Sequence, residues 1–271
     1  MPYSARQFAI FRIALGVFIF SYGALLLPYS TELLSAEGLL GTQWRGLRFF
    51  QSALPNYLEA NPSPGVAYAF VLVLTLAGAG VALGWFRRTC ALVAWYAFAC
   101  IVDRNVGLSN PGIPFAGWLC LACAIVPSGE GWTVSSRRAN PDWQMPPALF
   151  RAAWIVMAVA YSVSGIAKLQ SPEWIDGTAL SYVIDLPFAR QEGVVRLVAA
   201  SPDFLLRIFT WTALVGEALF APLSLFRVGR AIAWSMMVGM HVTLLLVMDF
   251  PELSSGMLLI HVFTFDRRWL T

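Results

Sequence analysis

The chain has 271 residues, of which 58% are hydrophobic and only 12% charged, and its mean hydropathy is +0.67. A soluble domain carries about 25% charged residues, so this composition excludes one and specifies a polytopic membrane protein whose length sets the number of spans. A formal charge of +3, carried by scattered arginines, excludes nucleic acid as a partner.

A helical span needs about 20 mainly apolar residues. Runs of that character fall at 8–27, 66–86, 89–102, 112–126, 148–167, 204–225, 230–248 and 253–265. They predict an all-α membrane bundle of about eight spans in one domain, 1–271, with no soluble C-terminal domain. The first run follows Arg6 and has a signal-like look. It is too long for a signal, carries Arg12 and lacks a small-x-small cleavage site, so it is read as retained.

The first long connection, 28–65, places Pro28, Pro55, Pro62 and Pro64 around an amphipathic stretch from Gln43 to Phe50. That stretch is expected to lie along the membrane interface. Between the third and fourth runs, Asp103 to Gly112 is polar and punctuated by Gly and Pro. Arg104 and Asn110 are its best candidates for holding a polar group, and a capped loop with an internal Asp–Arg pair is the plainer reading. In the fourth run Cys120 and Cys123 form a C-x-x-C on an apolar helix, where free Cys behaves as a small hydrophobe. A redox pair needs an accessible thiolate of lowered pKa, and zinc needs more ligands, so no metal centre is expected.

The fifth run ends on Lys168, the single lysine in a chain with seventeen arginines. An amine, unlike a guanidinium, loses its proton when desolvated and then acts as a base. The plainer alternative is a lysine snorkelling to the interface. Tyr161, Ser164, Gly165 and Lys168 lie at i, i+3, i+4 and i+7, hence on one helix face. Beyond them, Pro172, Trp174 and Gly177 suggest a turn folding back over the helix end, opening the second long connection, 169–203.

The sixth and seventh runs carry Glu217 and His241 near mid-depth. A charged group there costs at least ~2.5–3.5 kcal/mol, so such residues face the bundle interior and often mark function. With Lys168 they could line one cavity opening outward. The structural alternatives pair Glu217 with Arg12 or His241 and give His241 an interhelical hydrogen bond. Arg12 and His261 are read as structural.

Orientation follows from the basic residues. With the N-terminus inside, Arg6, Arg87, Arg88, Arg137, Arg138, Arg227, Arg230, Arg267 and Arg268 collect at cytoplasmic ends, and Arg104 is the exception. Both termini are then cytoplasmic, and Lys168 sits at the outer face, where the long connections also lie.

Tyr161-Ser-Val-Ser-Gly165-Ile-Ala-Lys168-Leu169, followed by Trp174 and Gly177, resembles a signature of the form Tyr-x-x-x-Gly-x-x-Lys-Leu then Trp-x-x-Gly. That signature belongs to the HTTM (horizontally transferred transmembrane), or vitamin K-dependent γ-carboxylase-like, family. Glu217 and His241 match an acidic and a histidine position of the family. The Arg12-Ile-Ala-Leu-Gly run and the Gly38-Leu-Leu segment look like its opening.

The resemblance implies an active site facing the periplasm or exterior, in the inner membrane of a bacterium. There the matching lysine ionises a reduced quinone of vitamin K or menaquinol type. Oxygen converts that hydroquinone into an epoxide and a strong base, which removes a glutamate γ-proton before carbon dioxide adds. Carried over, Lys168 and His241 are catalytic, and Tyr161, Trp174, Gly177, Glu217, Asn110 and Arg104 hold substrate or quinone. Two departures bear on the chemistry. The family's carboxylases have an Asn-His pair where this chain reads Ser109-Asn110-Pro111, and they continue into a large lumenal half beyond the last span. What carries over is quinone-linked base chemistry on a secreted peptide or small lipid. A second reading is a non-catalytic quinone-binding or assembly partner of a membrane redox system, similar to DoxX-type proteins. A transporter is a third, with no internal repeat to support it.

Overall fold

The computed structural model describes residues 3–41 and 55–269, and within them the chain is helical without strands. The interfacial stretch expected at Gln43–Phe50 lies outside the described residues. Eight helices of fourteen residues or more occupy the eight predicted runs: α1 (Ala5–Leu26), α2 (Pro64–Leu83), α3 (Arg87–Arg104), α4 (Gly112–Ile125), α5 (Pro147–Lys168), α6 (Asp203–Ala218), α7 (Arg227–Val247) and α8 (Pro251–Thr264).

Among the described residues four stretches are long and apolar enough to cross a membrane: Ala5–Leu34, which extends α1, together with α2, α5 and α7. Helices α4 and α8 have 14 residues each, about 21 Å at 1.5 Å per residue, against a hydrocarbon core of about 30 Å. The sixth run was expected to continue to residue 225. Instead α6 stops at Ala218 and a separate turn follows at Phe220–Leu223. Pro222 explains the break, because it has no N–H to donate back to Ala218.

Boundaries follow local chemistry. Ser4 caps α1, its hydroxyl accepting from the Gln7 amide at 3.2 Å. Pro64 and Pro251 open α2 and α8 at the position where a missing N–H costs nothing. Gly84, at φ +68°, ends α2 in the left-handed conformation that a side chain resists.

The chain divides into two compact units, residues 1–146 and 147–271. In the first, α1 lies directly on α2. A Cβ at Gly16 would run into the backbone of Ala82, and one at Gly78 into the backbone of Phe20, so these glycines set the interhelical distance. One end of this unit is held by charge. Arg12 and Arg87 each place Nε 3.2 Å from Oε1 of Glu130, whose side chain is 2% exposed. Arg12 also donates to the carbonyls of Val81 (2.8 Å) and Trp132 (2.6 Å), and Arg87 to that of Val126 (2.8 Å). The partner of Arg12 is thus Glu130, from the 127–146 connection, rather than Glu217.

At the other end Arg104 is buried, donating to the carbonyls of Leu34 (2.9 Å), Ser35 (3.3 Å) and Gly41 (3.1 Å). Asp103 accepts from Asn56 Nδ2 at 2.9 Å, so the internal Asp–Arg pair is replaced by two separate attachments. Cys90, Cys100, Cys120 and Cys123 are all free, and all but Cys90 are buried.

In the second unit α5 shows how a single helix serves two solvents. Ile155, Val159, Val163 and Ile166 are exposed on one side, while Ala153, Trp154, Met157, Tyr161 and Gly165 are buried on the other. The apolar exposed stripe suits contact with lipid. The return connection is fixed by a single antiparallel bridge between Ala189 and Met248, with Arg190 N bonded to Val247 O at 2.8 Å.

Candidate functional site

The site is built where α5 meets α6. Gly165 sits so close to α6 that a Cβ there would collide with the backbone of Ala218 and Glu217. Ser162, one turn earlier, accepts from the Ala221 amide at 2.9 Å and donates to the Glu217 carbonyl at 3.3 Å. The two small residues therefore bring Glu217 against α5 and hold its backbone in place. One turn past Gly165, Lys168 forms an ion pair with Glu217 Oε2 and a 3.3 Å hydrogen bond to Ser164 Oγ. The lysine side chain is 22% exposed and the glutamate side chain 5%.

The turn after α5 closes over this pair. Residues Pro172–Ile175 form a short helix that lays the Trp174 ring 4.7 Å from Lys168 Nζ, within cation–π range. Gly177 makes the turn possible twice over. Its φ of +85° is a left-handed conformation, and an added Cβ would meet Arg207 and Trp211 at 3.0 Å. Trp211 Nε1 donates to the Ile175 carbonyl at 3.0 Å, anchoring the turn on α6. The turn also holds two carboxylates in charged form. The Ser171 hydroxyl keeps Glu173 below the ordinary carboxylate range, and the Thr178 hydroxyl and amide do so for Asp176.

A second cluster lies deeper along the same face of α5. Tyr161 is seven residues before Lys168, about 10 Å along the helix axis. Its hydroxyl is 2.8 Å from His241 Nε2, and its ring is packed by Phe220 at 4.8 Å and His261 at 5.7 Å. His261 Nδ1 bonds to the Met257 carbonyl at 2.8 Å, which requires the proton on Nδ1. His241 Nδ1 and His261 Nε2 are buried without hydrogen-bond partners, and the two rings are 6.1 Å apart.

The expected residues thus sort into groups. Lys168, Glu217, Trp174 and Gly177 come together at the end of α5, and Tyr161 and His241 meet two turns away. Arg104 and Asn110 belong to the first unit, Arg104 occupied by backbone carbonyls and Asn110 capping the amide of Gly112 at 2.9 Å. A recess of about 290 Å³ is lined by Gly177, Tyr182, Asp185, Asp203 and Arg207, another lies in the first unit, and neither of these is lined by Lys168, Glu217 or His241.

Sequence reasoning missed Ser162, Trp211 and the contribution of His261. Ser162 was visible as a small polar residue one turn from Gly165, but its partners are backbone atoms that no side-chain pattern announces.

A family model described as HTTM domain matches residues 5–269, essentially the whole chain. No curated protein and no solved structure matches.

Proposed function

The chain belongs to the HTTM family, and from that premise we propose that it is a membrane-embedded enzyme performing quinol-linked base chemistry at the outer end of α5. In this reading all eight long helices cross a bacterial inner membrane, with both termini in the cytoplasm. The turn Ser171–Gly177 then faces the periplasm or exterior. The observation that carries the reading is Lys168, paired with Glu217 beneath the ring of Trp174.

Lys168 and Glu217 act as one unit. Glu217 receives the lysine proton, the freed amine takes a hydroxyl proton from substrate, and Glu217 then passes its proton to water, which returns the pair to ammonium and carboxylate. Ser164 Oγ holds the nitrogen in register throughout. Trp174 supplies a flat aromatic face for an aromatic substrate, and Lys168 is exposed enough to be reached. These residues suit a reduced quinone of vitamin K or menaquinol type. When bound, such a group supplies the acidic hydroxyl and the electrons that oxygen accepts. Carbon dioxide enters only if the ionised product is used for carboxylation of a secreted peptide. Tyr161 and His241 would tune the floor beneath.

The test is consumption of menadiol under air by purified protein, followed by mass spectrometry against the uncatalysed rate. Lys168→Arg keeps the charge but cannot release a proton, and is expected to lose at least ~100-fold. Equal rates in Lys168→Arg and wild type would overturn the reading.

A second reading, a non-catalytic assembly or quinone-binding partner of a membrane redox system, is favoured by one feature. Ser162, Gly165 and Lys168 all attach α5 to α6, as a structural clamp would. It predicts bound quinone in the purified protein, no consumption of menadiol, and no difference between Lys168→Arg and wild type.

A further inference from the structure

The second unit contains a recess that the Lys168 chemistry leaves unused. It has a volume of about 290 Å³ and lies between the Gly177 turn, the short helix Ala179–Ile184 and the first turns of α6. Ser181, Tyr182, Asp185, Asp203 and Arg207 line it, so one cation and two carboxylates share its wall. Asp203 and Arg207 stand at i, i+4 on α6, the spacing of a helix ion pair. They form none. Among the described residues the side chains of Asp185, Asp203 and Arg207 make no hydrogen bond or ion pair, and all three residues are exposed. Asp176, kept charged chiefly by the Thr178 hydroxyl, senses the guanidinium electrostatically without bonding it.

Opposite charges kept apart around one hollow suit a ligand that carries both signs. Arg207 offers a planar fork of donors, which fits phosphate. Asp185 and Asp203 offer only acceptors, which fit an ammonium with N–H bonds to give. The surface beside the recess fixes what else the ligand carries. Phe204, Ile208, Trp211 and Val215 are exposed and lie at i, i+4, i+7 and i+11, a single apolar stripe along α6. From Arg207 to Val215 this stripe descends about 12 Å with no charged residue.

We propose that the recess seats the headgroup of a phospholipid bearing a primary ammonium, with phosphate on Arg207, ammonium on Asp185 and Asp203, and an acyl chain along Ile208, Trp211 and Val215. The proposal rests on the membrane embedding that the composition specifies, and not on proton transfer at Lys168. A choline headgroup has the same phosphate and charge but no N–H to donate, so it serves Arg207 alone. A glycerol headgroup offers the carboxylates no cation.

The test is a titration of the purified full chain in dodecyl maltoside with dioleoyl phosphatidylethanolamine, phosphatidylcholine and phosphatidylglycerol, with bound lipid counted by native mass spectrometry. Wild type is expected to hold the ethanolamine lipid at least ~10-fold more tightly than either of the others, as charge-assisted hydrogen bonds allow. Asp185→Asn with Asp203→Asn should erase the preference over phosphatidylcholine while leaving phosphatidylcholine binding in place. Arg207→Gln should weaken ethanolamine and choline lipids alike, and leave dioleoylglycerol, which lacks phosphate, unaffected. It is an independent check if the double variant does not fold. Equal affinity of wild type for ethanolamine and choline lipids overturns the proposal, as does a preference that survives in the double variant, or phospholipid binding undiminished in Arg207→Gln. Soluble glycerophosphoethanolamine binding as tightly as the diacyl lipid would overturn the assignment to a lipid, because the apolar stripe would then contribute nothing.

Discussion

At Gly165 and Gly177 the missing side chain is the working part of the residue. Gly165 lets the α6 backbone come near enough for Glu217 to reach Lys168, and a methyl there would meet the backbone of Ala218. Gly165→Ala is expected to destabilise the second unit by ~1–3 kcal/mol, as overpacking does, and to part the ion pair. A lowered melting temperature with lost menadiol turnover would bear this out, and an unchanged melt would refute it. Gly177→Ala adds backbone strain of about 1–3 kcal/mol at φ +85°. Because that turn carries Trp174, its expected signature is weaker substrate binding, a raised KM, with kcat little changed. The Tyr161 hydroxyl serves His241 alone in the described hydrogen bonds. Tyr161→Phe should cost about 1–3 kcal/mol by orphaning a second histidine nitrogen, measured by thermal unfolding in detergent.

Among elements, the apolar periodicity of each helix was legible in the sequence, and so was the face of α5 that carries Tyr161, Gly165 and Lys168. The sequence also paired this motif correctly with a turn bearing Trp174 and Gly177. What it did not reveal was which charge meets which. Arg12, Glu217 and Lys168 are each one charge on a different apolar helix, and the pattern of hydrophobic residues does not depend on their partners. Glu130 was harder still to foresee, being one of two acids, with Asp142, in a connection that also carries Arg137 and Arg138. Its burial against two guanidiniums depends on the folded course of 127–146. Removing that charge leaves two buried cations uncompensated, so Glu130→Gln should cost ~3–5 kcal/mol. The measurable result is loss of monodisperse protein on size exclusion after extraction. An unaltered profile and melt would show the pair of arginines to be satisfied by carbonyls alone.

For the molecule as a whole, composition alone reached the solvent class, and the eight apolar runs reached the eight long helices. Termini were less legible. The expected end of the sixth run at 225 ignored Pro222, whose effect on hydrogen bonding outweighs the apolar character of the residues around it. Membership of the HTTM family was legible from the Lys168 signature because its spacing is dictated by a helix face and a turn. Function was less so, since a lysine clamped to a glutamate serves catalysis and architecture with the same atoms. The triad of Arg12, Arg87 and Glu130 has a further consequence for biogenesis. Synthesis delivers both arginines to the membrane before residue 130 leaves the ribosome. The nascent helices α1 and α3 therefore arrive carrying bare positive charge, and the first unit can lock only after four helices and their following connection have emerged.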